Sequence, residues 1–182
     1  KKTAVKDISP IIASVGIYAL FLVYPFIMNK GYHDITVTRY TVFCFISSVA
    51  AALCFLVRIC SAETFSLKSF RFSPTDVSVF FFLVVSAISS SLSEFPLAAL
   101  YGDAGRYMGF IMCAAMCAVY FWIASYYRIN EKYFRIFGLS FLVITVFSFL
   151  QFKGLDLFGL FSSLAFDSRI NFLSPFGNIN VF

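Results

Sequence analysis

The residue most suited to chemistry in the first two thirds of the chain is Arg106, which lies among Gly102, Gly105 and Gly109. A guanidinium presents a planar fork of donors that fits a diphosphate or a carboxylate. Glycines allow the backbone to approach a ligand closely. An anion-binding site is one interpretation of this stretch. The alternative is that the Arg106 side chain reaches toward an interface and pairs with Asp103.

A second candidate stretch lies at the end of the chain, where Arg169 precedes a Pro175–Gly177 turn, and Asn178 and Asn180 follow that turn. The two asparagine amides either cap the helix that begins there or hydrogen-bond a sugar or phosphate. On chemistry alone, capping is the simpler role of the two asparagines. The candidate ligand-binding residues are Arg169, Arg106, Asn178 and Asn180.

The cysteines and the single histidine favour structural roles. The chain has 5 cysteines and 1 histidine. Cys113 and Cys117 share one face of a predicted helix, but there is no CxxC pair and no nearby His or carboxylate. Small packing residues are the expected role of these cysteines. His33 stands beside Asp34 without a nucleophile, so we predict a loop residue, no metal site and no cofactor.

Composition identifies the elements that position these residues. Hydrophobic residues make up 60% and charged residues 13% of the chain, and 26 residues are Phe. Soluble domains have about 45–50% and 25%, respectively. A soluble fold of this size leaves roughly 30% of the unfolded chain's surface in contact with water, and polar groups must make up much of that surface. The composition excludes an ordinary soluble globule, a disordered tail and a disulfide scaffold. It predicts an integral membrane protein with the lipid bilayer, and no nucleic acid, as a partner.

The gaps between charged residues predict an all-α, polytopic transmembrane helix bundle. A spanning helix needs about 20 mostly apolar residues. The gaps place five spans at residues 8–28, 41–57, 77–92, 109–127 and 136–152, with a sixth starting near 178. Runs such as residues 79–85 do not alternate, which excludes a β-barrel. We expect residues 1–182 to be the N-terminal part of one transmembrane domain.

Lysines and arginines in the loops predict a cytoplasmic N-terminus. In that orientation most of the 14 Lys and Arg residues face the cytoplasm. The cations that face outward are Lys30, Arg39, Arg106, Lys153 and Arg169. The outer loop 153–178 is half apolar, which is typical of a segment lying on the membrane surface.

Three stretches of this chain resemble the O-antigen ligase/polymerase family of bacterial membrane proteins. The run from Arg169 through SPFGNINVF (174–182) resembles the family's "R…GT-F-G-N-P-N" element, with Ile179 where many members have Pro. The run LYG…RYMG (100–109) resembles its "G…R..G" element before the fourth span. The early run YPF…YHDIT…RY (24–40) is also similar to family members.

The resemblance implies the N-terminal half of a polytopic, GT-C-like membrane glycosyltransferase in the bacterial cytoplasmic membrane. Such enzymes transfer or polymerise a glycan from an undecaprenyl-diphosphate carrier on the outer face, onto a glycan, lipid or protein acceptor. Outer-loop arginines hold the donor diphosphate, and the matching residues here are Arg169 and Arg106. The family's catalytic His belongs to a large outer loop of the second half, beyond residue 182. The N-terminal half alone is therefore expected to be inactive.

Two other functional classes stay open on the sequence. One is a transporter or flippase of lipid-linked glycans, which commonly has broken helices and charged residues at mid-membrane. The five predicted spans contain no Asp, Glu, Lys or Arg, which disfavours ion-coupled transport. The other is a non-catalytic membrane sensor or scaffold.

Overall fold

The structure is a computed structural model that describes residues 8–28, 35–61, 73–103, 105–127 and 131–163. All regular structure in these ranges is helical, which confirms the all-α prediction for this part of the chain. The helices are α1 (Ser9–Tyr18), α2 (Ile35–Ser61), α3 (Pro74–Ser91), α4 (Pro96–Tyr101), α5 (Phe110–Tyr126) and α6 (Glu131–Phe152). A π-helical turn (Ala19–Val23) and a 3₁₀ turn (Tyr24–Phe26) continue α1, and another 3₁₀ turn spans Leu160–Ser163.

Several of these helices have the length and apolar character of membrane spans. Four in the described ranges are long and apolar enough to cross a bilayer: Ser9–Phe26, Ile35–Cys60, Pro74–Ser91 and Glu131–Phe152. Helix α5 is also apolar but has 17 residues, which is about 26 Å of helix. These helices agree with the membrane protein that the composition predicts. The predicted sixth span lies outside the described residues.

Helices α2 and α6 extend beyond the apolar gaps from which they were predicted. Helix α2 begins at Ile35 and therefore includes Arg39, and Arg58 lies in its last turn. Helix α6 begins at Glu131 and includes Arg135. A helix continues past the hydrocarbon layer as long as its backbone groups stay paired, so charged residues limit the apolar segment without ending the helix.

Two compact units make up the chain, the first from Lys1–Ile17 and Phe43–Arg128 and the second from Tyr18–Val42 and Ile129–Phe182. Small residues allow close helix packing in the first unit. A Cβ added to Gly16 would lie 2.9 Å from the Trp122 ring and 3.3 Å from Ala50 Cβ. Nearby along α2, the Cys54 thiol donates to the Ser9 carbonyl with a separation of 3.8 Å. Bulkier side chains at these positions would force the helices apart.

Helices α3 and α5 of the first unit form an antiparallel pair. Ser73 and Asp76 cap the start of α3 reciprocally: the Asp76 amide donates to Ser73 Oγ and the Ser73 amide donates to Asp76 Oδ2. The Tyr120 hydroxyl, in the second half of α5, donates to Asp76 Oδ1 at 2.8 Å. The start of α3 therefore lies beside the second half of α5, and the chain between them turns at the opposite end of the pair.

In the second unit, the end of the first helical segment runs parallel to α6. Aromatic side chains of the two segments pair along their length. The ring centroids are 5.5, 5.2 and 6.3 Å apart in the pairs Tyr18–Tyr133, Phe21–Phe137 and Phe26–Phe147. From one pair to the next, the residue number increases in both segments, so the two segments run in the same direction.

A helical irregularity in the second unit frees backbone carbonyls for side-chain donors. The π-helical and 3₁₀ turns from Ala19 to Phe26 interrupt the regular α-helical pairing. The Ser140 hydroxyl donates to the Phe21 carbonyl at 2.6 Å. The Arg39 guanidinium donates to the Pro25 carbonyl at 3.0 Å, and Arg39 is only 8% exposed. The buried arginine thus ties the start of α2 to the end of the first segment.

Candidate functional site

The predicted site around Arg106 is positioned by the α3–α4–α5 part of the first unit. Helix α4 packs against both α3 and α5. Pro96 occupies the first turn of α4, where its missing N–H is not needed. The gap between the spans predicted at 77–92 and 109–127 indicated a loop here, because six residues are too few to show a helical period. The short helix brings the chain back toward the start of α5.

Two glycines close the loop that follows α4, and we call residues 102–109 the glycine loop (residue 104 lies outside the described ranges). Gly102 ends α4 with φ +85°, in the left-handed region that favours glycine. A Cβ at Gly102 would overlap the backbone nitrogen of Met108. A Cβ at Gly109 would overlap the Gly102 nitrogen and the Leu100 carbonyl oxygen. The two ends of the loop therefore touch through backbone atoms alone.

Inside the glycine loop, a tight turn presents Arg106. The Asp103 carbonyl accepts hydrogen bonds from the backbone N–H groups of Arg106 and Tyr107, both at 3.1 Å. Tyr107 has φ +50°, the one positive φ of a non-glycine residue in the described part of the chain. Non-glycine residues adopt this conformation rarely, and it is enriched at functional sites. The strained turn leaves the Arg106 side chain exposed at the end of the α3–α5 pair.

This geometry suits an anion more than a core role. Arg106 and Asp103 are both exposed and lie on a loop whose ends are fixed by backbone contact. A guanidinium on a rigid loop loses less conformational entropy on binding than one on a mobile loop. The arrangement can therefore hold a phosphate or carboxylate group at the surface of the helix pair.

The remaining predicted ligands cannot be placed beside Arg106. Arg169, Asn178 and Asn180 lie outside the described residues, as does His33. The prediction that they share a site with Arg106 stays a prediction.

The cysteines belong to no cluster of candidate metal ligands among the described residues. All five are free thiols, with Cys54 and Cys117 buried and Cys60 exposed. Among the residues that the structure describes, no group of three His, Cys, Asp or Glu side chains is arranged to hold a metal ion. Burial of Cys54 and Cys117 agrees with their expected packing role.

Two polar features of the structure were not predicted from the sequence. One is the Asp76–Tyr120 hydrogen bond, although the Ser73-x-x-Asp76 spacing is a recognisable capping signal. The other is the burial of Arg39, which was predicted only as an outward-facing loop cation. No local signal marks that burial, because it arises from contact with the distant Pro25 carbonyl.

No protein-family model, curated protein or solved structure matches this chain. The chemistry of the site therefore rests on the glycine loop, its arginine and the helices that hold them.

Proposed function

We propose that this chain is part of a bacterial membrane glycosyltransferase of the O-antigen ligase/polymerase type. The enzyme would transfer or polymerise a glycan from an undecaprenyl-diphosphate carrier, onto a glycan, lipid or protein acceptor. The observation that carries the proposal is the glycine loop, which displays an exposed Arg106 at the end of an apolar helix pair. A lipid-linked diphosphate presents its charge at that level, between the hydrocarbon and water.

The proposed topology has five complete spans, a GT-C-like arrangement and a cytoplasmic N-terminus. The parallel pairing of the first helical segment with α6 supports this count. Parallel spans must be separated by an odd number of crossings, and α2, α3 and α5 supply three such crossings. If α5 did not cross, α6 would run antiparallel to the first segment. In this topology Arg106 faces outward, where the carrier-linked glycan is presented.

In the proposed mechanism, arginines neutralise the leaving diphosphate. As the bond between the sugar and the carrier breaks, negative charge builds on the diphosphate oxygens. A fixed guanidinium that is already oriented toward those oxygens stabilises this charge with little reorganisation. Arg106 takes this role together with Arg169, and Asn178 and Asn180 donate hydrogen bonds to the glycan or phosphate. The catalytic base would belong to another part of the full-length enzyme.

The test measures glycan transfer in membranes that contain the full-length protein with the Arg106→Ala substitution. We expect transfer to fall on the order of 100-fold, as when a charge-stabilising donor is removed. Arg106→Lys keeps the charge but loses the planar fork, so it should recover activity only partly. Arg135→Ala, also an exposed arginine near a helix end, is the matched control and should retain activity. Full transfer by Arg106→Ala at normal protein level would refute the assigned role.

A second candidate function, transport or flipping of a lipid-linked glycan, is favoured by one observation. The first span is broken into α, π and 3₁₀ segments around Pro25, and a buried arginine contacts the break. Broken helices of this kind form binding sites in secondary transporters. Proteoliposomes containing the full-length protein distinguish the two functions. Movement of a labelled lipid-linked glycan across the bilayer without any new glycosidic bond would favour the transporter.

A further inference from the structure

The segment that follows α6, residues 153–163, is folded into a compact turn, and we call it the post-α6 loop. Gly154 and Gly159 reverse the chain with φ values of +84° and +65°. Asp156 accepts from two backbone N–H groups, that of Leu160 at 2.8 Å on Oδ1 and that of Phe161 at 2.7 Å on Oδ2. A single carboxylate therefore holds the 3₁₀ turn against the first half of the loop.

The inner side of this loop is anchored in the second unit. Leu160 and Phe161 are 3% and 6% exposed, and they form a buried cluster with Ile35 and Phe147. This anchoring gives the post-α6 loop a fixed position at the end of α6.

The outer side of the loop is apolar and more than half exposed. Leu155, Leu157 and Phe158 are 53%, 59% and 66% exposed. In the last turn of α6, directly before the loop, Phe149 and Phe152 are also exposed, at 58% and 60%. Exposed apolar side chains are therefore present both in a helix long enough to span a membrane and in the loop that directly follows it.

We propose that the post-α6 loop inserts Leu155, Leu157 and Phe158 into the bilayer, at the boundary between the lipid headgroups and the acyl chains. The occupant is lipid because the three exposed apolar side chains directly follow a helix that is long and apolar enough to span a bilayer and is itself mostly exposed. The loop begins at the residue after a span-length helix, which places it at the depth of the headgroups. Lys153, whose ammonium lies 5.6 Å from the centre of the Phe149 ring, is at the same level and complements lipid phosphates.

Tryptophan fluorescence of the full chain in lipid vesicles tests this insertion. Phe158→Trp adds a reporter in the loop, at a ring that is 66% exposed and whose centroid lies 5.4 Å from that of Phe147. Phe141→Trp adds a matched reporter near the middle of α6, where Phe141 is 66% exposed. The only native tryptophan, Trp122, is 1% exposed and contributes a background that the parent protein measures. The vesicles contain phosphatidylcholine and phosphatidylglycerol, with bromine placed either near the headgroup or near the chain end.

We expect bromine near the headgroup to quench the fluorescence of the Phe158→Trp variant more strongly than bromine near the chain end. The opposite order is expected for the Phe141→Trp variant. Strong quenching of the Phe158→Trp signal by aqueous acrylamide, with none by either brominated lipid, would place the loop in water and overturn the proposal. Resistance to all the quenchers would mean that protein covers the loop, which also overturns it. Leu157→Trp repeats the measurement if Phe158→Trp fails to fold.

This inference is independent of glycan transfer. The fluorescence experiment has no catalytic readout, so membrane insertion of the loop and the proposed enzymatic activity succeed or fail separately.

Discussion

The glycine loop, between α4 and α5, and the post-α6 loop, at the end of α6, are both turns that are closed by contacts near their two ends, yet they are held in different ways. In the first, Gly102 and Gly109 bring backbone against backbone, and the loop displays the cation Arg106. In the second, the Asp156 carboxylate holds two backbone N–H groups, and the loop displays apolar side chains.

The difference shows that the contacts that close a loop limit which side chains the loop can expose. Backbone closure leaves no space for a side chain at either glycine, and the Arg106 side chain between them is exposed. Closure of the post-α6 loop depends on the Asp156 side chain alone among the contacts described above, so its neighbours in the loop can be apolar. The first arrangement suits a polar ligand and the second suits lipid.

The largest effect is expected for Gly109→Ala. The added methyl group would overlap the Gly102 nitrogen and the Leu100 carbonyl oxygen, and neither backbone group can move without opening the loop. We expect a loss of roughly 3 kcal/mol of unfolding free energy, the upper range for overpacking, measured by thermal unfolding in detergent.

Gly138→Ala is the matched control for this substitution, because nothing lies within 4 Å of the added Cβ in α6. A helix-interior alanine should stabilise the protein by up to about 1 kcal/mol. Equal melting temperatures for the two variants would show that the backbone contact between Gly102 and Gly109 does not close the loop.

A smaller effect is expected for Asp156→Ala, which leaves the N–H groups of Leu160 and Phe161 without their acceptor. The partly exposed site limits the loss to roughly 2 kcal/mol. Hydrogen exchange should show faster exchange of the Leu160 and Phe161 amides. Asp156→Asn keeps one carbonyl acceptor and should protect one amide better than Asp156→Ala. Unchanged exchange in both variants would contradict closure by the carboxylate.

The smallest effect concerns Tyr107, whose φ of +50° lies in the left-handed region. Asparagine tolerates this conformation better than tyrosine, and a β-branched residue tolerates it worse. Tyr107→Asn should therefore stabilise the glycine loop by about 0.5 kcal/mol, and Tyr107→Val should destabilise it by about 1 kcal/mol. The opposite order of melting temperatures would remove the argument that this turn is strained.

Much of the helical architecture was predictable from the sequence, because hydrocarbon requires every backbone group to be paired within the segment. The apolar gaps therefore identified the segments that became α2, α3 and α6. Helix ends were less predictable, since Arg39 and Arg135 lie within helices that extend past the gaps. Helix α4 carries too few residues for a period to be visible.

The candidate site was predictable in its residue types but not in its geometry. The glycines around Arg106 indicated close backbone approach, although the sequence does not show which backbone each one meets. Asp156 was not singled out, because an isolated aspartate in an apolar loop has no distinctive spacing.

The sequence by itself determined that the described chain is helical and that the helices are apolar on most of their surface. These properties follow from local backbone pairing and from the shortage of charge. Only the tertiary structure decided that Gly102 meets Gly109, that Arg39 is buried against the Pro25 carbonyl, and that the first helical segment runs parallel to α6. These features depend on contacts between atoms of distant segments, and such contacts have no local signature in a single sequence.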